Sequence, residues 1–338
     1  MRNLRIPKPN GAVTGIGSLP LGNANDAVET VTRYAPEFPF WPQLPKRAQA
    51  ELMLEHALFP FMEFFQPCQA KRFGYELTED KPEAFSAALK KHDGALSEEN
   101  AAGFFAFENA FAKGAFAQAK AVKGQLVGPV TLASLLFQKE KSFLSDDRLF
   151  AQVLDMQRKA ALWQIERLGK LGLPVIVFFD EPALMLLSTP AYSSAGSGVL
   201  EGFAKMIFEL KNTSATIGVH SCASVPYNLM QNTAADILSF DADLDLETFA
   251  GDSDFNGFVA GNGLAAYGLV PNDSEKLQTL SAAAIFERWQ KAFGQTGFKQ
   301  IVENGFVTAS CGMGLLGENE MIKSFELQSE VSKLVKKI

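Results

Sequence analysis

The sequence predicts an α/β fold, specifically a (β/α)8 TIM barrel forming a single domain over residues 1–338, with an irregular insertion in its N-terminal half. Three observations predict it. Apolar runs of strand length recur through the second half, separated by stretches of helical period. Histidine, cysteine and aspartate gather just after these runs, at the strand ends where such barrels keep their chemistry. The fingerprint of the competing doubly wound sheet is missing, because Gly15 and Gly17 are followed by Pro20 where a third glycine would stand.

Taken in order, residues 12–16 and 123–127 are the strand signals of the first half. Residues 38–100 are rich in Phe and Pro and lack a clear period, so they are expected to hold one strand and the insertion. Residues 146–170 have helical periodicity, and residues 174–179 are a continuous apolar run. A helix over 199–211 precedes a strand over 215–220, and a short helix over 225–231 precedes a strand over 236–240. Residues 255–260 are the next strand signal. Residues 274–293 are expected to form one long amphipathic helix, 306–310 a strand, and 318–336 a closing helix with lysines near its C-terminus, as the helix dipole favours. Seven clear strand signals and one obscure one suit an eight-stranded barrel.

Composition narrows the function classes. A chain of 338 residues with 47% hydrophobic content has ample material for a large core. Its net charge of −7, without a long basic cluster, makes nucleic acid and anionic membrane poor partners. The most apolar stretch, residues 173–179, is too short to span a bilayer, and no apolar signal core follows the basic residues 1–10. Three cysteines, Cys68, Cys222 and Cys311, are an odd and sparse set unsuited to a disulfide framework, so a reducing cytoplasm is the expected compartment.

Those cysteines carry the chemistry. His220 and Cys222 are two apart at a strand end and project to one face. Cys311 ends another strand. One imidazole and two thiolates with a fourth position open is the catalytic arrangement of zinc. Alone, His-x-Cys is equally a buried thiol beside a satisfied histidine; the addition of Cys311 at the same rim favours the metal. Asp241, after the 236–240 strand, is either a fourth ligand or the N-cap of the next helix. Asp180 and Glu181 close the 174–179 strand, where a carboxylate binds a substrate ammonium group or caps a neighbouring segment. Residues 128–131, Gly-Pro-Val-Thr, are a turn signal between strand and helix. His56 and His92 have no ligand types near them in sequence and are read as ordinary.

Six motifs in one order carry a resemblance: Gly15-Ile16-Gly17-Ser18-Leu19-Pro20, Gly128-Pro129-Val130-Thr131, Asp180-Glu181-Pro182-Ala183-Leu184, His220-Ser221-Cys222, Ile237-Leu238-Ser239-Phe240-Asp241 and Ser310-Cys311-Gly312. From about Gly11 to the end, the chain resembles the C-terminal catalytic barrel of cobalamin-independent methionine synthase, in the uroporphyrinogen decarboxylase-like superfamily. The resemblance implies zinc held by His220, Cys222 and Cys311, with Asp241 where the family has a glutamate ligand. It implies that Ile16 and Ser18 contact homocysteine and that Asp180 holds its amino group. The implied activity is a zinc-dependent thiol S-methyltransferase making methionine. Two departures bear on the methyl donor. This length holds one barrel where full-length enzymes have two, and residues 264–272 lack the histidine that the family uses as a proton donor. The donor is therefore methyltetrahydrofolate or a methylcorrinoid protein. Two other classes stand beside this reading: a uroporphyrinogen decarboxylase-like lyase on the same barrel, and a zinc- or thiol-binding module without turnover.

Overall fold

Ten strands form in the computed structural model, which describes residues 5–68, 73–192, 196–294 and 297–338; residues 1–4 of the basic N-terminal stretch lie outside these. In chain order they are β1 (Phe65–Pro67), β2 (Tyr75–Leu77), β3 (Val122–Val127), β4 (Leu136–Gln138), β5 (Lys141–Ser142), β6 (Val175–Asp180), β7 (Thr216–Ser221), β8 (Ile237–Asp241), β9 (Leu264–Val270) and β10 (Gly305–Ala309). Six of them make one parallel sheet in the order β10-β9-β8-β7-β6-β3. The other four make a small sheet, β1-β2-β4-β5, built partly from residues of the expected insertion.

The large sheet is covered by helices that follow its strands. Helix Asp147–Gly169 packs on β3 and β6, helix Ala242–Gly251 on β8 and β9, and helix Glu318–Val335 on β9 and β10. This is why β3, β7, β9 and β10 are buried along their whole length, and why β9 reads as an apolar run without alternation. The inner face of the curl has its own core, with Phe38, Ile176, Phe178, Ile237 and Phe306 at its heart.

The large sheet is a curled half-barrel of six parallel strands, and its hydrogen-bonded ladder does not close. Its two edges are met by extended segments that make single parallel bridges, Val13 to Val307 of β10 and Phe40 to Lys123 of β3. The segments meet each other at Ser18 and Gln43. Proline explains why the second does not become a strand: Pro39, Pro42 and Pro45 each lack the N–H that a ladder requires. The glycines of the other segment serve close approach. A Cβ on Gly15 would stand 2.3 Å from the Phe40 ring, and one on Gly17 would stand 2.6 Å from the Gln125 side chain.

Two expectations are corrected. Residues 255–260 belong to helix Ser253–Ala260, not to a strand. Phe255, Phe258 and Val259 bury one helical face, and the Asp252 carboxylate caps the amides of Asp254 and Phe255. The strand in this part of the sheet is β9, which lies within residues 264–272. Residues 274–293 form two helices, Ser274–Thr279 and Ala282–Phe293, because Ser281 caps a new start by accepting from the Ala284 amide. Among the described residues, no helix is long and apolar enough to cross a membrane.

Candidate active site

Where β6 and β7 end, the parallel register sets Asp180 beside His220, and the next pairing sets His220 beside Ser239 of β8. Alternation turns all three toward the inside of the curl. His220 is buried, and its Nδ1 lies 2.9 Å from Ser239 Oγ. Its Nε2 is sealed from solvent without a hydrogen-bond partner. Cys222 follows one residue beyond the end of β7 and is partly exposed, as is Cys311.

Cys311 reaches the same place by a different route. The register of β10 shifts between Thr308 and Ala309, a bulge of the kind that re-aims side chains at a sheet's rim. The loop beyond is tied on both sides. Ser310 Oγ accepts from the Asn272 amide, and Asn272 Nδ2 donates to the Gly312 carbonyl at 2.8 Å. Across the gap, the Met313 amide donates to the Ser18 carbonyl and the Gly314 amide to Ser18 Oγ. Gly312 is required here, since a Cβ would stand 2.3 Å from Ser18 Oγ.

The result is one cluster. The donor atoms of His220, Cys222 and Cys311 all lie within 4.8 Å of one another, the one such group of three among the described residues. The two thiols shift one another in opposite directions. A hydrogen bond from Cys311 holds the Cys222 thiol well below the ordinary range, and the same contact drives Cys311 well above it. This donor set fits a soft divalent metal: two sulfurs that titrate as a pair, and an imidazole whose outer nitrogen is fixed by a hydroxyl while its inner one has no partner.

The cluster opens into a pocket of about 270 Å³ lined by Ile16, Ser18, Asp180, His220, Cys222 and Cys311, with Leu52, Met53 and Leu315 at its apolar side. Six of the seven residues singled out in the sequence thus line one cavity. Asp180 Oδ1 is buried there without a partner, and burial pushes its carboxyl up to about 6 against the pull of His220 and Lys123. Asp241, the seventh, does not line the pocket. It caps helix Ala242–Gly251 by accepting from the Asp243 amide at 2.8 Å, and burial pushes its carboxyl up to about 6.

The neighbouring acids Asp180 and Glu181 have parted company. Glu181 is fully buried and turned away from the pocket. It accepts from the Val130 and Thr131 amides and the Thr131 hydroxyl, capping helix Pro129–Leu135, while burial pushes its carboxyl up to about 7. Its own amide donates to the His220 carbonyl at 2.7 Å, so it fixes the strand end that carries His220. The two other histidines lie elsewhere. His56 is buried on helix Met53–Leu58, and His92 ends helix Pro82–Lys91, its Nδ1 accepting from the Gly94 amide. Sequence reasoning passed over Ser239, Asn272 and Lys123. Only Lys123 left a signal, as a charged residue within an otherwise apolar strand.

No family model and no curated protein matches the chain. Solved structures do. A B12-independent methionine synthase from Shewanella sp. W3-18-1, in complex with selenomethionine, aligns over 98% of this chain and 96% of its own at 13% identity and a TM-score of 0.52. A putative vitamin-B12 independent methionine synthase from Listeria monocytogenes aligns over 93% of this chain and 85% of its own, at 13% identity and a TM-score of 0.52. A methyltransferase from Methanosarcina mazei aligns over 96% and 93%, at 13% identity and a TM-score of 0.56. The fold is therefore one that these proteins share, and they include the family whose motifs the sequence resembles.

Proposed function

We propose that this chain is a zinc-dependent thiol S-methyltransferase whose acceptor is homocysteine, giving methionine. The observation that carries the reading is the His220, Cys222 and Cys311 cluster at the base of an open, largely apolar pocket that also holds an unpartnered carboxylate. His220 through Nε2 and the two cysteines through sulfur would hold the ion. Bound there, zinc supplies a Lewis acid that favours the thiolate form of an arriving thiol.

The chain's own groups do the rest. Asp180 takes the acceptor's ammonium group, which gives the buried Oδ1 its missing partner. Ile16 and Ser18 bound the acceptor on the opposite wall, and Ser18 also holds the loop that carries Cys311. Leu52, Met53 and Leu315, all exposed, give the pocket its apolar side, against which the acceptor's methylenes would pack. Asp241 is assigned as the outer carboxylate of the same centre, one strand from His220. The three bridges that join residues 12–18 and 39–43 to the sheet support reading the whole as a barrel of eight positions. Nothing in the structure favours a corrinoid protein as methyl donor, so methylcorrinoid and methyltetrahydrofolate both belong in the activity screen.

Calorimetric titration with homocysteine tests the acceptor assignment. Asp180→Asn is expected to weaken homocysteine roughly 10- to 100-fold, the loss of one charge-assisted contact. The analogue lacking the amino group should bind both proteins alike. Unchanged homocysteine affinity in the variant would remove Asp180 from this role.

A further inference from the structure

Lys123 is a fully buried cation inside the curl, close to the start of β3. Its strand alternates. Gly124 faces the outer helix, where a Cβ would meet Gln164 and Leu168, so Lys123 and Gln125 face inward. Burying an ammonium costs several kcal/mol unless its donors are used, and an apolar side chain of similar length would pack here without that cost.

Its hydrogen bonds show what the cation is used for. Lys123 Nζ donates to the Ile16 carbonyl at 2.6 Å and to Gln125 Oε1 at 3.3 Å, and it lies 4.4 Å from the Phe178 ring centroid. Gln125 Nε2 in turn donates to the Trp41 carbonyl at 2.9 Å. The two carbonyls belong to the two extended segments that fail to form strands. Backbone bonds pair the Thr14 amide with the Val307 carbonyl and the Gln43 amide with the Gly17 carbonyl, so the stretch left to side chains between the two bridges is Gly15 and Ile16. The path from Ile16 through Lys123 and Gln125 to Trp41 ties the two segments together from inside. Gly17 belongs to the same device, since any Cβ there would displace Gln125. Burial draws the Lys123 ammonium down to about 7, and the Asp180 charge opposes that shift.

We infer that Lys123 is a positioning residue: with Gln125 it replaces the missing backbone ladder and holds Ile16 and Ser18 where the acceptor thiol binds. Ser18 also touches the Cys311 loop, but that loop has a second anchor at Asn272 and does not depend on the tie. His220 and Cys222 rest on β7 and do not depend on it. The inference rests on the acceptor reading given above.

The test compares the full-length protein with Lys123→Met, and with Lys123→Gln in case the first variant does not fold. Hydrogen exchange reads the tie without reference to activity. Peptides covering residues 12–19 and 39–43 should exchange at least about 10-fold faster, while β7 and β8 keep their wild-type protection. Zinc content should stay at the wild-type level. With homocysteine as acceptor, KM should rise about 10-fold, with kcat and the KM for the methyl donor within about 2-fold, the pattern of lost acceptor binding. Uniformly faster exchange, or a joint fall in zinc, kcat and donor affinity, would make Lys123 a general stability residue and overturn the inference. Local loosening with unchanged homocysteine affinity would also overturn it, and would locate the fault in the acceptor reading and not in the tie.

Discussion

Asp180 and Glu181 are neighbours in sequence that face opposite ways. The sequence offered two roles for a carboxylate after the 174–179 run, ammonium binding and capping; the structure gives capping to Glu181 and sets Asp180 on the pocket wall, where the proposed ammonium contact would form. Alternation decides it: Asp180 shares the inward face of β6 with Phe178, and Glu181 turns outward to the start of helix Pro129–Leu135. The sequence could not show that the capped helix lies about fifty residues upstream. Asp241 poses the same choice without that division of labour, since one side chain caps a helix and is also assigned to the metal. Asp241→Ser separates the two roles, because serine caps about as well as aspartate but is a poor zinc ligand. The metal-free variant is expected to keep its unfolding free energy within about 0.5 kcal/mol of the metal-free parent, while zinc affinity, measured by chelator competition, falls about 10-fold or more. Unchanged affinity would leave Asp241 as a cap only.

At the scale of elements, the legible strands were those buried on both faces and bounded by helices: β3, β6, β7, β8 and β10 all fall within two residues of the apolar runs. The two misreadings differ in cause. The 274–293 helix was split by a cap at Ser281, whereas a short apolar run does not declare its period, and the three buried apolar residues of 255–260 serve a helix as well as a strand. Glycine is similarly ambiguous. Gly218 of β7 exists so that the Phe178 ring can cross it, and a Cβ there would stand 2.3 Å from a ring carbon. Gly257, inside helix Ser253–Ala260, faces open space. The same substitution should therefore have opposite signs. In urea unfolding, Gly218→Ala is expected to destabilise by about 1–3 kcal/mol and Gly257→Ala to stabilise by about 0.5–1 kcal/mol. Equal effects at the two sites would contradict the packing described for the inner core.

At the scale of the molecule, the parallel sheet and its helical cover were legible, and so were the residues that meet at its C-terminal rim. Residues 220, 222 and 311 are close because parallel strands deliver their ends to one side. The near-closure of the sheet was not legible, because it depends on two proline- and glycine-rich segments whose link is made by buried side chains. Neighbours at 13% identity share this architecture, and what sets the chemistry is the small constellation at the rim. The account therefore stands on the metal. The most direct measurement is zinc per chain, by elemental analysis, on protein purified without chelator and on Cys311→Ser. About one zinc per chain in the native protein and almost none in the variant is the predicted result. Folded native protein without zinc, or a Cys311→Ser variant that retains a full equivalent, would contradict it.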